Sequence, residues 1–124
     1  MSNVAVLGAS KNPERIAYQA VARLLQKGHT VIPINPKGGE IFGVGVYQSL
    51  DAIESPVDTL TMYIAAEHQA TEVDAIERLR PRRIIFNPGS ENPAIYSRLE
   101  RAGIAIQEAC TLVLLSTNQF DETI

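Results

Sequence analysis

The chain has 124 residues, which is one domain's worth, and its 45% hydrophobic and 20% charged content excludes a disordered or collagen-like chain. Eleven basic against fourteen acidic residues leave a net charge of −3, which argues against a nucleic-acid or anionic-membrane binder, since either needs a basic face. Cys110 is the one cysteine, so an intrachain disulfide framework and a zinc site built of thiolates are excluded as well.

Ser2-Asn3 follow Met1 with neither a basic leader nor a long apolar run, so a soluble, cytoplasmic protein is expected, folded as a single domain over residues 1–124. Val4-Ala5-Val6-Leu7 is a short apolar run broken at Gly8, as in a strand buried on both faces. Asn12 then predicts an N-cap, Pro13 the first helical position and Gly28 the residue beyond the helix end. Ile16/Ala17, Ala20/Val21 and Leu24/Leu25 recur every four residues and make the apolar stripe of that helix. Thr30 to Ile34 predicts a second strand, near an edge or a ladder end because Pro33 lacks a donor.

Asn35 to Tyr47 carries four glycines and one proline, a loop with room for one short edge strand. Ser49 predicts the cap of a brief helix through Ile53, ended by Pro56. In Val57 to Ile64, Leu60, Met62 and Ile64 alternate with Thr59, Thr61 and Tyr63, the pattern of a third main strand. Ala66, Ala70, Val73, Ile76 and Leu79 have helical spacing up to Pro81. Ile84-Ile85-Phe86 reads as a fourth strand, Asn92-Pro93 as the start of a helix ending at Gly103, and Ile104-Ala105-Ile106 as a last strand. Periodicity leaves Thr111–Leu115 open between helix and strand. Strands alternating with helices in this way predict an α/β domain of three layers: a Rossmann-like, doubly wound, mostly parallel sheet covered on both faces.

In such a sheet a ligand binds outside the carboxyl ends of the strands, where the strand order reverses. The residues expected there are Gly8-Ala9-Ser10, Asn35-Pro36-Lys37, Ala65-Ala66 and Asn87-Pro88-Gly89-Ser90. They are small residues, prolines, amides and one lysine, which let a ligand approach the backbone and leave helix-start N–H groups for an anion. The glycine fingerprint of dinucleotide folds is missing beyond Gly8. Where those folds place an acid to accept from a ribose diol, this chain has Asn35 and then Lys37, suited instead to a phosphate on the ribose.

The blocks V-x-V-L-G-A-S-K-N-P-E-R and V-I-P-I-N-P-K resemble the small stand-alone CoA-binding domain family, itself similar to the CoA-binding domain of the succinyl-CoA synthetase α subunit. The resemblance runs from Val4 to about Leu115 and takes in Phe42-Gly43, Tyr47-Gln48-Ser49-Leu50, Val57-Asp58 and Cys110. It implies coenzyme A, or an acyl-CoA, lying across the carboxyl edge of the sheet. Gly8, Ala9 and Ser10 would then meet the pyrophosphate with Arg15 nearby, Asn35, Pro36 and Lys37 would hold the ribose phosphate and adenosine, and Ala65 and Ala66 would flank the adenine. The chain departs from the family in Met62-Tyr63-Ile64-Ala65-Ala66, where many relatives carry a basic segment, and in Asn87-Pro88-Gly89-Ser90.

Arg15 sits at a helix start, where a cation opposes the helix dipole unless an anion is bound. Cys110 reads more simply as a small core residue than as a reactive thiol. His29 reads as a turn residue and His68 as a helix-start residue, and neither matches a phosphotransfer histidine. Arg78, Arg80, Arg82 and Arg83 read as a solvated basic cap at a helix C-terminus. With no G-x-S-x-G, Walker or H-E-x-x-H motif, no catalytic residue or metal site is assigned. The expected function is binding without chemistry of its own, as a sensor, a carrier or a subunit, either as a homo-oligomer or beside a catalytic partner protein. An NADP-binding redox sensor or enzyme fragment and a ligand-free protein-interaction module are the alternatives.

Overall fold

The structure is a computed structural model and describes residues 2–121. In chain order its elements are β1 (Asn3–Leu7), α1 (Ile16–Gln26), β2 (Thr30–Ile34), β3 (Glu40–Ile41), β4 (Val44–Gly45), β5 (Thr59–Met62), α2 (Val73–Leu79), β6 (Arg83–Phe86), α3 (Pro93–Arg101), β7 (Ala105–Glu108) and α4 (Thr111–Ser116). Five strands form one parallel sheet in the order β2-β1-β5-β6-β7, and β3 with β4 forms a separate antiparallel hairpin. This is the doubly wound α/β architecture that the alternating pattern predicts. Pro33 lies, as expected, on the edge strand β2. Tyr47 extends that edge by one bridge, donating its N–H to Pro33 O and accepting from Asn35 N.

The period of two divides the strand residues between two cores. Ala5, Leu7, Leu60, Met62, Ile84 and Phe86 pack beneath α2 and α3, which contribute Val73, Ile76 and Leu99. Val4, Val6 and Ile85 face the other way, against Val21 and Leu24 of α1 and Leu114 and Leu115 of α4. The apolar segment Thr111–Leu115 is thus a helix, and it covers this second core. Among the described residues no helix is long and apolar enough to cross a membrane.

Several local expectations are corrected. First, α1 begins at Ile16, with Arg15 extended at the cap position. Asn12 and Pro13 instead occupy the first two places of a tight turn, in which Arg15 N donates to Asn12 O and Glu14 N donates to Asn12 Oδ1. An Asx residue followed by proline suits the start of a type I turn as well as a helix cap. Second, the helix expected from Ala66 onward is two 3-10 turns, Ala66–His68 and Ala70–Glu72, before α2 proper. Third, the last strand lies at Ala105–Glu108 rather than from Ile104, and Ser49 precedes only a 3-10 turn, Leu50–Ala52, without a side-chain cap.

Fourth, Arg83 is no solvated cap: it is 1% exposed and opens β6 with its side chain on the α1/α4 side of the sheet. Its guanidinium donates to Thr59 Oγ1 at 2.8 Å, Gln107 Oε1 at 3.1 Å and Phe120 O at 2.6 Å, and lies 4.5 Å from the Phe120 ring centroid. Burial pushes it down to about 10, which leaves it cationic at neutral pH. The run of arginines conceals a change of element at Pro81, beyond which alternate positions turn inward. His29 is likewise buried: its ring rests 5.1 Å from that of Phe120, and its Nδ1 bonds to Ser2.

Candidate functional site

From β1 the chain winds outward to β2 and then returns to place β5 on the opposite side of β1. The connections leaving β1 and β5 therefore diverge, and the crevice opens between them. Gly8 makes the turn possible. Its φ is +91°, and a Cβ there would stand 3.1 Å from Ile64 Cγ1 and 3.2 Å from the carbonyl carbon of Tyr63. The amides of Gly8 and Ala9 both donate to Ile34 O at 3.1 Å, tying the end of β1 to the end of β2.

Beyond that clasp several backbone donors are unused. Ser10 Oγ accepts from Asn12 N, and Asn12 turns the chain into α1. Among the described residues the amides of Ser10, Lys11, Ile16 and Ala17 have no partner within the protein. The first turn of α1 has no acidic residue and no side-chain cap, so the positive end of its dipole is uncompensated.

These groups border two adjoining cavities. The larger, about 660 Å³, runs from Gly8–Ser10 past Arg15, Ile16 and Ala17 to Tyr63 and Pro88 on the far side. The smaller, about 270 Å³, lies between Lys11, Lys37 and Gly38 and is roofed by Ile41 and Val46 of the hairpin region. Ala9, Ser10, Asn35 and Lys37 line both. Lys11, Arg15 and Lys37 form no ion pair among the described residues, and Glu14 is the only carboxylate in either lining.

Buried and half-buried amides hold the rim in place. Asn35 Nδ2 donates to Ala9 O at 2.7 Å, while Oδ1 accepts from Lys37 N at 2.8 Å, so one side chain joins the two loops that carry the lysines. On the other side Gln69, fully buried, donates to Ile64 O at 2.8 Å and Ser90 O at 2.7 Å and accepts from Asn92 Nδ2. Asn87 donates to Thr61 Oγ1 and Met62 O and accepts from Thr111 N, which locks the loop after β6 to β5 and to the start of α4. Tyr63 leaves β5 into the larger cavity, its hydroxyl buried without a well-formed hydrogen bond. Burial pushes that phenol up to about 12, against the pull of the nearby Thr61 and Thr111 hydroxyls.

Of the residues expected at the site, Gly8, Ala9, Ser10, Arg15, Asn35 and Lys37 line the cavities together. Pro36, Ala65 and Ala66 line neither. Pro36 is exposed, with its carbonyl accepting from Gln48 Nε2, and Ala65-Ala66 lead into the first 3-10 turn. Pro88, from the Asn87–Ser90 segment expected at the carboxyl edge, also lines the larger cavity, whereas Lys11 and Tyr63 were not among the expected residues. Lys11 adjoins the Gly-Ala-Ser turn, which is the one signal that could have marked it. Cys110 is half-buried where β7 passes into α4.

A family model described as a CoA binding domain matches residues 2–116. Over 62 residues the chain is 34% identical to an ADP-forming acetate–CoA ligase of Methanocaldococcus jannaschii, an alignment covering 50% of this chain and 9% of the ligase. Over 64 residues it is 31% identical to the protein YneT of Bacillus subtilis, covering 52% of this chain and 47% of YneT. It thus spans less than half the length of these two relatives. An uncharacterized protein of known crystal structure is 41% identical and superposes with a TM-score of 0.91, over 97% of this chain and 98% of that one.

Proposed function

The chain belongs to the CoA binding domain family, and from that premise we propose that it binds coenzyme A or an acyl-CoA across the carboxyl edge of the parallel sheet. The carrying observation is the convergence of unpartnered amides and unpaired cations on one groove. The Ser10, Lys11, Ile16 and Ala17 amides, with Arg15 beside them, suit a pyrophosphate at the start of α1. Lys37 follows β2, where a dinucleotide protein would present a carboxylate to the ribose, and it suits a 3′-phosphate instead. The larger cavity continues past Tyr63 towards Pro88, which gives the pantetheine arm a path over small and apolar groups. Ile41 and Val46 offer the adenosine end an apolar wall.

The groove supplies amides, cations and apolar walls, the means of binding. The protein is therefore a CoA sensor, a CoA carrier, or a subunit that presents the coenzyme to a catalytic partner, as its likeness to part of an acetate–CoA ligase suggests. An NADP site is the second reading, because Lys37 suits a 2′-phosphate equally well.

Calorimetric titration with CoA, dephospho-CoA, NADPH and NAD tests both. A charge-assisted contact to the ribose phosphate contributes about 1.5–3 kcal/mol, so CoA should bind roughly ten- to hundredfold more tightly than dephospho-CoA. Equal affinities for that pair would remove the role of Lys37. NADPH bound more tightly than CoA would favour the second reading.

A further inference from the structure

The smaller cavity contains a cation that the family resemblance leaves without a role. Among the described residues its only charged lining groups are Lys11 and Lys37, one from each of the loops that Asn35 ties together. The exposed Lys11 side chain reaches across the gap between them. Gly39 has φ +93°, and a Cβ on it would overlap Lys11 Nζ and stand 2.7 Å from Cε. The missing side chain at Gly39 is thus the space that the lysine head occupies. Neither ammonium meets a carboxylate among the described residues. Two exposed ammonium groups thus line one small cavity, a setting that suits an anion of more than one charge.

We propose that Lys11 is a second specificity-determining cation, which acts with Lys37 to select nucleotides bearing a phosphate monoester on the ribose; this rests on the coenzyme A reading above. A phosphate monoester carries between one and two negative charges at neutral pH, whereas each phosphate of the pyrophosphate bridge carries about one. Two ammonium groups match the former. A single lysine would leave the second charge to solvent. The ligand class follows from the chemistry: adenosine 3′,5′-bisphosphate should bind as a fragment more tightly than AMP, whose one monoester is on the 5′ carbon.

The test compares CoA with dephospho-CoA on the wild type, Lys11→Gln, Lys11→Arg and Lys37→Gln. Lys11→Gln should weaken CoA about tenfold and dephospho-CoA less than twofold, so that the preference between them collapses. Lys11→Arg should retain most of it. Equal losses for both ligands in Lys11→Gln, or an undiminished preference, would overturn the role of Lys11 while leaving CoA binding intact. A wild type that binds no CoA would overturn this inference together with the function it rests on.

Discussion

Gly8→Ala is the sharpest probe of the architecture at the crevice, because two independent costs fall on one methyl group. The backbone at φ +91° lies where L-residues are strained, a penalty of about 1–2 kcal/mol. The added Cβ would also meet Ile64 Cγ1 at 3.1 Å and the Tyr63 carbonyl carbon and oxygen at 3.2 and 3.3 Å. The isoleucine can give way by a few tenths of an ångström. The Tyr63 carbonyl cannot do so freely, because that residue's own N–H is bonded to Leu7 O at 2.9 Å, which holds the two strand ends together. Overpacking of this kind costs about 1–3 kcal/mol, so the sum is roughly 2–5 kcal/mol. Domains of this class have about 5–15 kcal/mol in hand, so the variant should fold. With a urea m-value of about 2 kcal/mol/M, its unfolding midpoint should fall by roughly 1–2.5 M. Urea titration followed by circular dichroism measures this directly. A midpoint within about 0.3 M of the wild type would refute the close approach of β1 and β5. Gly89→Ala is the control: it has a similar φ of +94° but nothing within 4 Å of the added carbon, so it should show the backbone cost alone.

Asn35→Asp keeps the acceptor for Lys37 N but loses the donor to Ala9 O, and it sets a carboxylate in the lysine-lined cavity. CoA affinity should drop at least tenfold while dephospho-CoA suffers less, which parallel calorimetric titrations would reveal; an unchanged CoA affinity would contradict the anion site. His29 is held below its ordinary value of 6.5, chiefly by burial, with Asp121 opposing and the Arg83 guanidinium adding to the shift. A depressed histidine is protonated first in the unfolded chain, so its contribution is complete above pH 6.5 and is lost as the pH falls through the folded-state value. Denaturation midpoints between pH 7.5 and 5 should therefore decline more steeply in the wild type than in His29→Gln. Asp51 and Glu77 are lowered by Arg78 and Arg98, and they lose their contribution only below their ordinary values of 3.8 and 4.5. A shallower decline in the wild type would refute the assignment.

The strands β1, β2 and β6 were legible because their residues are largely apolar on both faces, and β5 because Leu60 and Met62 alternate with Thr59 and Thr61. Helix starts were less so. Asn12-Pro13 and Asn92-Pro93 are the same dipeptide, yet only the second opens a helix, with Pro93 at its first position. The Asn92 side chain caps nothing there and donates instead to Gln69 Oε1. The difference lies in partners distant along the chain. The same holds for Arg83, whose neighbours Thr59, Gln107 and Phe120 are each at least 24 positions away. At the site, Gly8 through Ser10 and Lys37 could be read because strand ends dictate what lies at the carboxyl edge. Tyr63 could not, since whether it faces the crevice or the core depends on how β5 ends. Lys11 was hidden for a different reason: its side chain ends beside Gly39, 28 positions on, in space that a residue with a Cβ would share.

The distribution of hydrogen bonds fits the proposed binding of a long, highly charged ligand. Three loops bordering the crevice are fixed by amide side chains, Asn35 within the lining and Gln69 and Asn87 behind it, each making at least two bonds to neighbouring backbone or hydroxyl groups. Among the described residues the Lys11, Arg15 and Lys37 side chains have no ion pair, and the Ser10, Lys11, Ile16 and Ala17 amides have no partner. Division of labour of this kind lowers the ordering cost on binding, because the loops are already positioned and only lysine and arginine side chains remain to settle. It also separates two mutational classes. Substituting an amide should degrade affinity for every ligand through loop disorder, whereas substituting Lys11 or Lys37 should degrade it only for ligands that carry the ribose phosphate. Asn35 belongs to both classes, since its carbonyl oxygen holds the Lys37 amide and its nitrogen holds the Gly-Ala-Ser turn. For that reason an acid at this one position should alter both the strength and the selectivity of binding.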